Sequence, residues 1–135
     1  MTIMKQLQFI ETILYVHDQQ ASTAFYTRLF RQEPVLNVPG MTEFELAANC
    51  KLGLMPNHGI AKILGEKLPH PETGSGIPRC ELYLQVNDIQ LEYENALEAG
   101  AKLVLPVTAM DWGDKVCYFA DSDAHIIAFA EKINE

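Results

Sequence analysis

The sequence predicts an α+β fold in which one β-α-β-β-β module is used twice, and three observations carry that expectation. Leu14-Tyr15-Val16-His17-Asp18 returns 70 residues later as Leu84-Gln85-Val86-Asn87-Asp88, and the same offset pairs Glu11 with Glu81. In each copy an alternating, strand-like run leads through an aspartate into a helical apolar stripe. Between the copies lies Leu68–Pro78 (LPHPETGSGIP), a linker by its proline and glycine content. The expected division is a module over about residues 1–57, a linker over about 58–78 and a second module over about 79–135. Together they make one domain, because a single short module cannot close a core and two can.

Taken in order, Gln8–Val16 alternates as a strand, with Phe9, Glu11, Ile13 and Tyr15 on one face and Ile10, Thr12, Leu14 and Val16 on the other. Asp18 is placed to cap a helix whose apolar stripe is Ala21, Ala24, Phe25 and Leu29, with Gln20, Thr23, Thr27 and Arg31 polar and Pro34 as the stop. Phe25 and Leu29 are expected in the core. Short strands follow at Val35–Val38, Thr42–Ala47 and Lys51–Met55, turned by Pro39-Gly40 and Asn49, and Ile60–Lys67 is a helical turn. The second copy reads Glu81–Val86 as strand, Asp88 as cap, and Ile89, Tyr93, Ala96 and Leu97 as a helical stripe stopped by Gly100. Strands at Lys102–Leu105, Lys115–Ala120 and His125–Ala130 complete it, the last two joined by the turn Asp121-Ser122-Asp123-Ala124.

Composition narrows the function classes. Ten basic residues face eighteen acidic ones, a net charge of −8, and all the excess lies in residues 71–135. An acidic chain without Lys/Arg clusters is a poor match for a phosphate backbone, so no nucleic-acid partner is expected. Apolar runs such as Ile126–Ala130 are far below the roughly 20 residues of a membrane helix, so no membrane partner is expected. No signal-peptide pattern stands at the N-terminus, and the expected location is the cytoplasm. Cys50, Cys80 and Cys117 are too widely spaced for a zinc knuckle and odd in number, and read as buried free thiols.

In the order and spacing of its motifs the chain resembles the vicinal oxygen chelate superfamily, which includes glyoxalase I, extradiol dioxygenases, fosfomycin-resistance enzymes and bleomycin-resistance proteins. Ile13–Asp18 with Ser22 and Phe25-Tyr26 is similar to that family's strand–helix opening, and Leu52-Gly53-Leu54-Met55 to the end of its first module. Asp111-Trp112-Gly113 and Phe119–Ile127 resemble its terminal signature, with Ser122 and Ala124 where a proline and a glycine are usual. The resemblance implies cupped, mostly antiparallel half-barrels, a ligand site inside the cup, and a homodimer. It also implies that the four family metal positions fall on Glu11, Gly53, Glu81 and Ala128.

Glycine and alanine offer no donor, and two carboxylates without imidazole are a weak set for zinc, nickel or ferrous iron. No cofactor is therefore expected, although two carboxylates plus water would admit a hard divalent metal. The histidines add nothing to that set: His17, His58, His70 and His125 read as surface or capping residues. Glu11 and Glu81 remain the leading site residues, each a charge interrupting strand alternation at the same place in the repeat. Three roles are open to them: pairing with nearby bases (Arg79 for Glu81), forming a polar floor for a cationic or hydrogen-bonding ligand, or holding a metal. Tyr15, Met55, Tyr83 and Trp112 are the candidates to line the rest of the site, with Arg79 at its edge.

The leading expectation is a metal-independent small-molecule binder of the bleomycin-resistance kind. The first alternative is a lyase, isomerase or dioxygenase with an atypical metal shell including Glu11 and Glu81, or with one of them as a general base. The second is a dimeric interaction module without small-molecule chemistry.

Overall fold

A computed structural model describes residues 5–134. They fall into two compact units that divide between Thr73 and Gly74, inside the proline- and glycine-rich stretch. Each unit is an α+β sheet of four strands in matching order.

In the first unit β1 (Ile10–Val16) leads into α1 (Gln19–Phe30), followed by β2 (Leu36–Val38), β3 (Met41–Ala47), β4 (Cys50–Pro56) and α2 (Asn57–Leu64). The sheet order is β1-β4-β3-β2, with β1 and β4 parallel and the other pairs antiparallel. Asp18 caps α1, its carboxylate accepting from the Ala21 N–H at 3.0 Å. The helix stops at Arg31 in the left-handed conformation (φ 53°), before Pro34 is reached.

The buried stripe of α1 is Ser22, Thr23, Tyr26 and Leu29, rotated from the expected Ala21, Ala24, Phe25 and Leu29. Thr23 can face inward because its hydroxyl bonds to the buried Thr42 hydroxyl at 2.8 Å, so neither group loses a partner on desolvation. Tyr26, fully buried, sits between the rings of Phe25 and Phe30 (centroids 4.9 and 5.4 Å away), and Phe25 is left half-buried. Gln19 then fastens the helix to the β2–β3 turn. Its amide donates to Val38 O and Thr42 Oγ1, and its oxygen accepts from the Gly40 N–H.

The second unit opens with a single 3-10 turn at Pro71–Gly74, which straddles the division, then β5 (Glu81–Gln85), α3 (Ile89–Ala99), β6 (Lys102–Ala109), β7 (Asp114–Ala120) and β8 (Ile126–Lys132). Its order is β5-β8-β7-β6, with β5 and β8 parallel, repeating the first unit. Asp88 caps α3 through the Leu91 N–H at 3.2 Å, and Gly100 (φ 95°) ends it. Ile89, Ala96 and Ala99 are buried, whereas Leu97, expected in the stripe, is exposed. β6 runs well past Leu105. It is an edge strand, where Pro106 removes no obligatory ladder bond.

Both sheets keep their larger buried side chains on the face that carries the helix. Leu14, Val16, Leu52, Leu54 and Phe44 do so in the first unit, and Ile127, Phe129, Cys117 and Phe119 in the second. The opposite faces carry the charged residues of β1 and β5. No helix among the described residues is long and apolar enough to cross a membrane.

Candidate functional site

In the first unit the helix-free face presents Glu11, Ile13 and Tyr15 of β1 beside Lys51, Gly53 and Met55 of β4, each pair in register. Glu43 of β3 lies opposite Gly53. A Cβ built on Gly53 would stand 2.5 Å from Glu11 Oε2 and 3.1 Å from Ile13 Cγ1. The Glu11 carboxyl therefore occupies the space that a side chain at position 53 would fill. There Oε2 is buried and has no hydrogen-bond donor, and Glu43 is its neighbour. Lys51 Nζ is 3.8 Å from Glu43 Oε1 and 5.0 Å from the centre of the Phe9 ring.

Burial, then hydrogen bonding with and repulsion from Glu43, raise the Glu11 carboxyl above the ordinary glutamate range, with Lys51 opposing. Two carboxyls can share a hydrogen bond only when one is protonated, so the buried Oε2 gains a partner when Glu11 takes up a proton.

In the second unit the corresponding face carries Glu81 and Tyr83 of β5, Ala128 and Ala130 of β8, and Val116 and Tyr118 of β7. Val116, Ala128 and Ala130 are fully buried, with Met110 and Tyr118 packed against them, which gives the face an apolar floor. Trp112 sits in the β6–β7 turn, where Gly113 adopts φ 96°. Its indole N–H donates to Tyr83 Oη at 2.8 Å, and the Tyr83 hydroxyl donates to Asp114 Oδ2 at 2.6 Å. Desolvation and the Asp114 carboxylate hold the Tyr83 phenol above its usual range. Desolvation and the charge of Glu81 do the same for Tyr118.

The structure thus brings Glu11, Gly53, Tyr15 and Met55 onto one face, and Glu81, Tyr83, Trp112 and Ala128 onto another. Arg79 is not brought to Glu81. Its Nε donates to Ile77 O at 3.0 Å and its side chain lies along Gly74, where an added Cβ would be 3.0 Å from Arg79 Cδ. No ion pair joins Arg79 and Glu81 among the described residues. The expected pair fails because β5 begins only at Glu81, so Arg79 precedes the ladder that would set both side chains on one face.

Glu43, Lys51, Asp114 and Tyr118 escaped the sequence reading. Glu43 and Lys51 were marked only by their even spacing along strands whose pairing had to be known first. A cleft of about 640 Å³ beside α1, lined by Gln19, Thr23, Arg28 and Asn37, holds none of the expected site residues.

Two further expectations are corrected. His125, expected at the surface or as a cap, is buried, together with Asp121 and Asp123 of the same turn. Asp121 accepts from the Asp123 and His125 N–H groups, both at 2.9 Å, and meets His125 Nδ1 at 2.8 Å. This network closes the β7–β8 turn around Ala124, whose φ is +68°. The acidic and imidazole groups there are internal to the turn, a role legible only once the hairpin is closed. Of the cysteines, Cys117 is buried but Cys80 is exposed and Cys50 half-buried, since Cys80 too lies before β5.

The family metal positions can now be judged by their donors. Gly53 and Ala128 have none, and the space over Gly53 is filled by the Glu11 carboxyl. The residues present do not fit a His/Glu transition-metal shell.

Two open βαβββ sheets with matching strand order define a glyoxalase-fold protein of the vicinal oxygen chelate superfamily. More particularly, the chain belongs to the glyoxalase-like domain family, whose model matches residues 9–134. An uncharacterised protein of Mycobacterium bovis is 26% identical over 125 residues, covering 90% of this chain and 82% of the relative. A glyoxalase-related enzyme from Fulvimarina pelagi has a similar structure, with TM-score 0.75, 23% identity, and 93% of this chain and 88% of that one covered. A glyoxalase/bleomycin resistance protein/dioxygenase from Nocardioides reaches TM-score 0.79 at 18% identity, covering 98% and 87%. These structural likenesses concern the fold.

Proposed function

We propose that this chain is a metal-independent small-molecule-binding protein of the glyoxalase/bleomycin-resistance kind. The observation that carries the reading is the fate of the family metal positions: a glycine whose space is taken by Glu11, and an alanine. With no imidazole and two donor-free positions, the scaffold keeps its ligand-facing sheets without the Lewis acid. Tyr15 and Met55 offer aromatic and apolar surface on the sheet of the first unit; on that of the second, Tyr83 and Trp112 offer aromatic surface and Glu81 a carboxylate. Arg79, engaged with Ile77 O, contributes from the edge only if that bond is exchanged. A homodimer in the cytoplasm completes the reading.

Thermal unfolding against a panel of amphipathic natural products tests it, because a ligand of the folded state raises Tm with ligand concentration. A saturating rise that persists in chelator supports the reading; a flat response across the panel, or a rise abolished by chelator, overturns it.

One observation favours an enzyme instead. Burial and the neighbouring Glu43 carboxyl raise the Glu11 carboxyl above its ordinary range, the direction that a proton-transferring group requires. In that case a lyase or isomerase activity would depend on Glu11, and E11Q would abolish turnover while leaving ligand-induced stabilisation in place.

A further inference from the structure

The hydrogen-bond chain on the second sheet has a direction, and it leaves a particular kind of surface behind. The Trp112 N–H is spent on Tyr83 Oη, and the Tyr83 O–H is spent on Asp114 Oδ2. Neither aromatic has a donor left for a ligand. What both still offer is ring surface: Tyr83 is 41% and Trp112 55% exposed.

The charges around them are two carboxylates and one lysine: Lys132 stands opposite Asp114 in the strand register, and among the described residues it forms no ion pair with it. Asp114 anchors the chain of bonds, and Glu81 lies two residues from Tyr83 on the same sheet face, close enough to perturb Tyr118. Two other nearby cations are occupied elsewhere, Lys115 with Glu131 at 3.2 Å and Arg79 with the Ile77 carbonyl. Among the described residues no lysine or arginine forms an ion pair with Glu81 or Asp114. The whole surplus of negative charge in the chain belongs to residues 71–135.

Two exposed rings whose donors are engaged, beside two carboxylates and one lysine, favour one ligand chemistry. The indole N–H and the Tyr83 O–H are already spent, whereas a flat cation gains stacking and cation–π attraction from the rings and Coulomb attraction from Asp114 and Glu81 together. We propose that Trp112 and Tyr83 form a stacking ledge for a flat aromatic cation, with Asp114 holding the two rings in place and supplying the countercharge. This names the ligand class for the small-molecule reading and rests on it. Asp114 acts in two ways that separate experimentally: its oxygen positions Tyr83, and its charge attracts the ligand.

The chain has a single tryptophan, so 15N-labelled full-length protein gives one indole N–H resonance that reports on the ledge alone. The probes are N-methylquinolinium and its uncharged isostere 1-methylnaphthalene. The cation is expected to shift the indole resonance saturably and to bind about tenfold more tightly than the isostere. D114N keeps an oxygen acceptor for Tyr83 and removes the charge, so it should cost the cation about fivefold to tenfold and leave the isostere unchanged. Y83F should move the indole resonance without any ligand, because the N–H loses its acceptor.

Equal affinity for the two probes, equal weakening of both by D114N, or an indole resonance indifferent to the cation or to Y83F would overturn the ledge. If the indole is silent while the natural-product panel still raises Tm, the ledge fails and the binding reading stands. If the protein proves to depend on a metal, that reading fails and the indole titration still judges the ledge.

Discussion

Glu11 Oε2 lies 2.5 Å from where the Cβ of any other residue at Gly53 would stand. The absence of a side chain at one family metal position is what admits the carboxyl from another. Gly53→Ala would push against the tip of a flexible side chain, and against Ile13 Cγ1 at 3.1 Å. The expected cost is about 1 kcal/mol, at the low end for overpacking, because the Glu11 tip can swing away. The decisive readout is the Glu11 δ-carbon in a 13C titration. Moved out of its buried place beside Glu43, it should titrate lower in G53A than in the parent.

The same carboxyl makes stability depend on pH in a direction opposite to most acidic groups. Burial and Glu43 raise its folded value above its unfolded one, so the folded state holds the proton more tightly. Its contribution is fully present below the unfolded pKa and is lost as pH rises through the folded pKa. Glu131 works the other way: the Ile89 N–H and Lys115 hold its carboxyl below the usual range, so its contribution is lost as pH falls. Urea midpoints for Glu11→Gln against the parent isolate the first effect. E11Q should be the more stable protein at neutral pH, with the advantage disappearing in acid. An unchanging difference across that range would contradict the raised value.

Much of this was legible in the chain and some was not. The repeat, the caps at Asp18 and Asp88, and the faces of β1 and β5 followed from local spacing, because alternation and capping are properties of neighbouring residues. The buried side of α1 was misread by about one position, since Thr23 counts as polar until its partner Thr42 is known. Arg79 and Glu81 were joined on the assumption that the strand already ran through Arg79. Glu11 and Tyr83 could be singled out, but Glu43 and Asp114 complete their surroundings from strands distant in sequence, and only pairing reveals that.

The buried turn yields a prediction about two residues that behave oppositely. Asp121 satisfies two backbone N–H groups and one imidazole N, so Asp121→Ala should cost about 3 kcal/mol by leaving buried donors unpaired. Ala124, held at φ +68°, carries a conformation that costs a non-glycine residue about 1–2 kcal/mol. Ala124→Gly should therefore stabilise by about 0.5–1 kcal/mol once the greater freedom of unfolded glycine is subtracted. Denaturant unfolding of both variants checks the pair, and a stabilising D121A or a destabilising A124G would contradict the account.

The cysteines divide by access. Burial pushes the Cys117 thiol up to about 11, and it is fully enclosed. Cys80 is raised as well, by partial desolvation, but it is exposed. A neutral thiol reagent should modify Cys80 in the folded protein and reach Cys117 only on unfolding. Peptide mapping after brief labelling distinguishes the two sites.

The central claim is that this glyoxalase-fold chain binds its ligand without a metal, and the metal content of protein purified in the absence of chelator tests it most directly. The account predicts far less than one equivalent of zinc, nickel, iron or manganese per chain, with no change in E11Q or Glu81→Gln. One equivalent of a divalent metal, lost on either substitution, would contradict it.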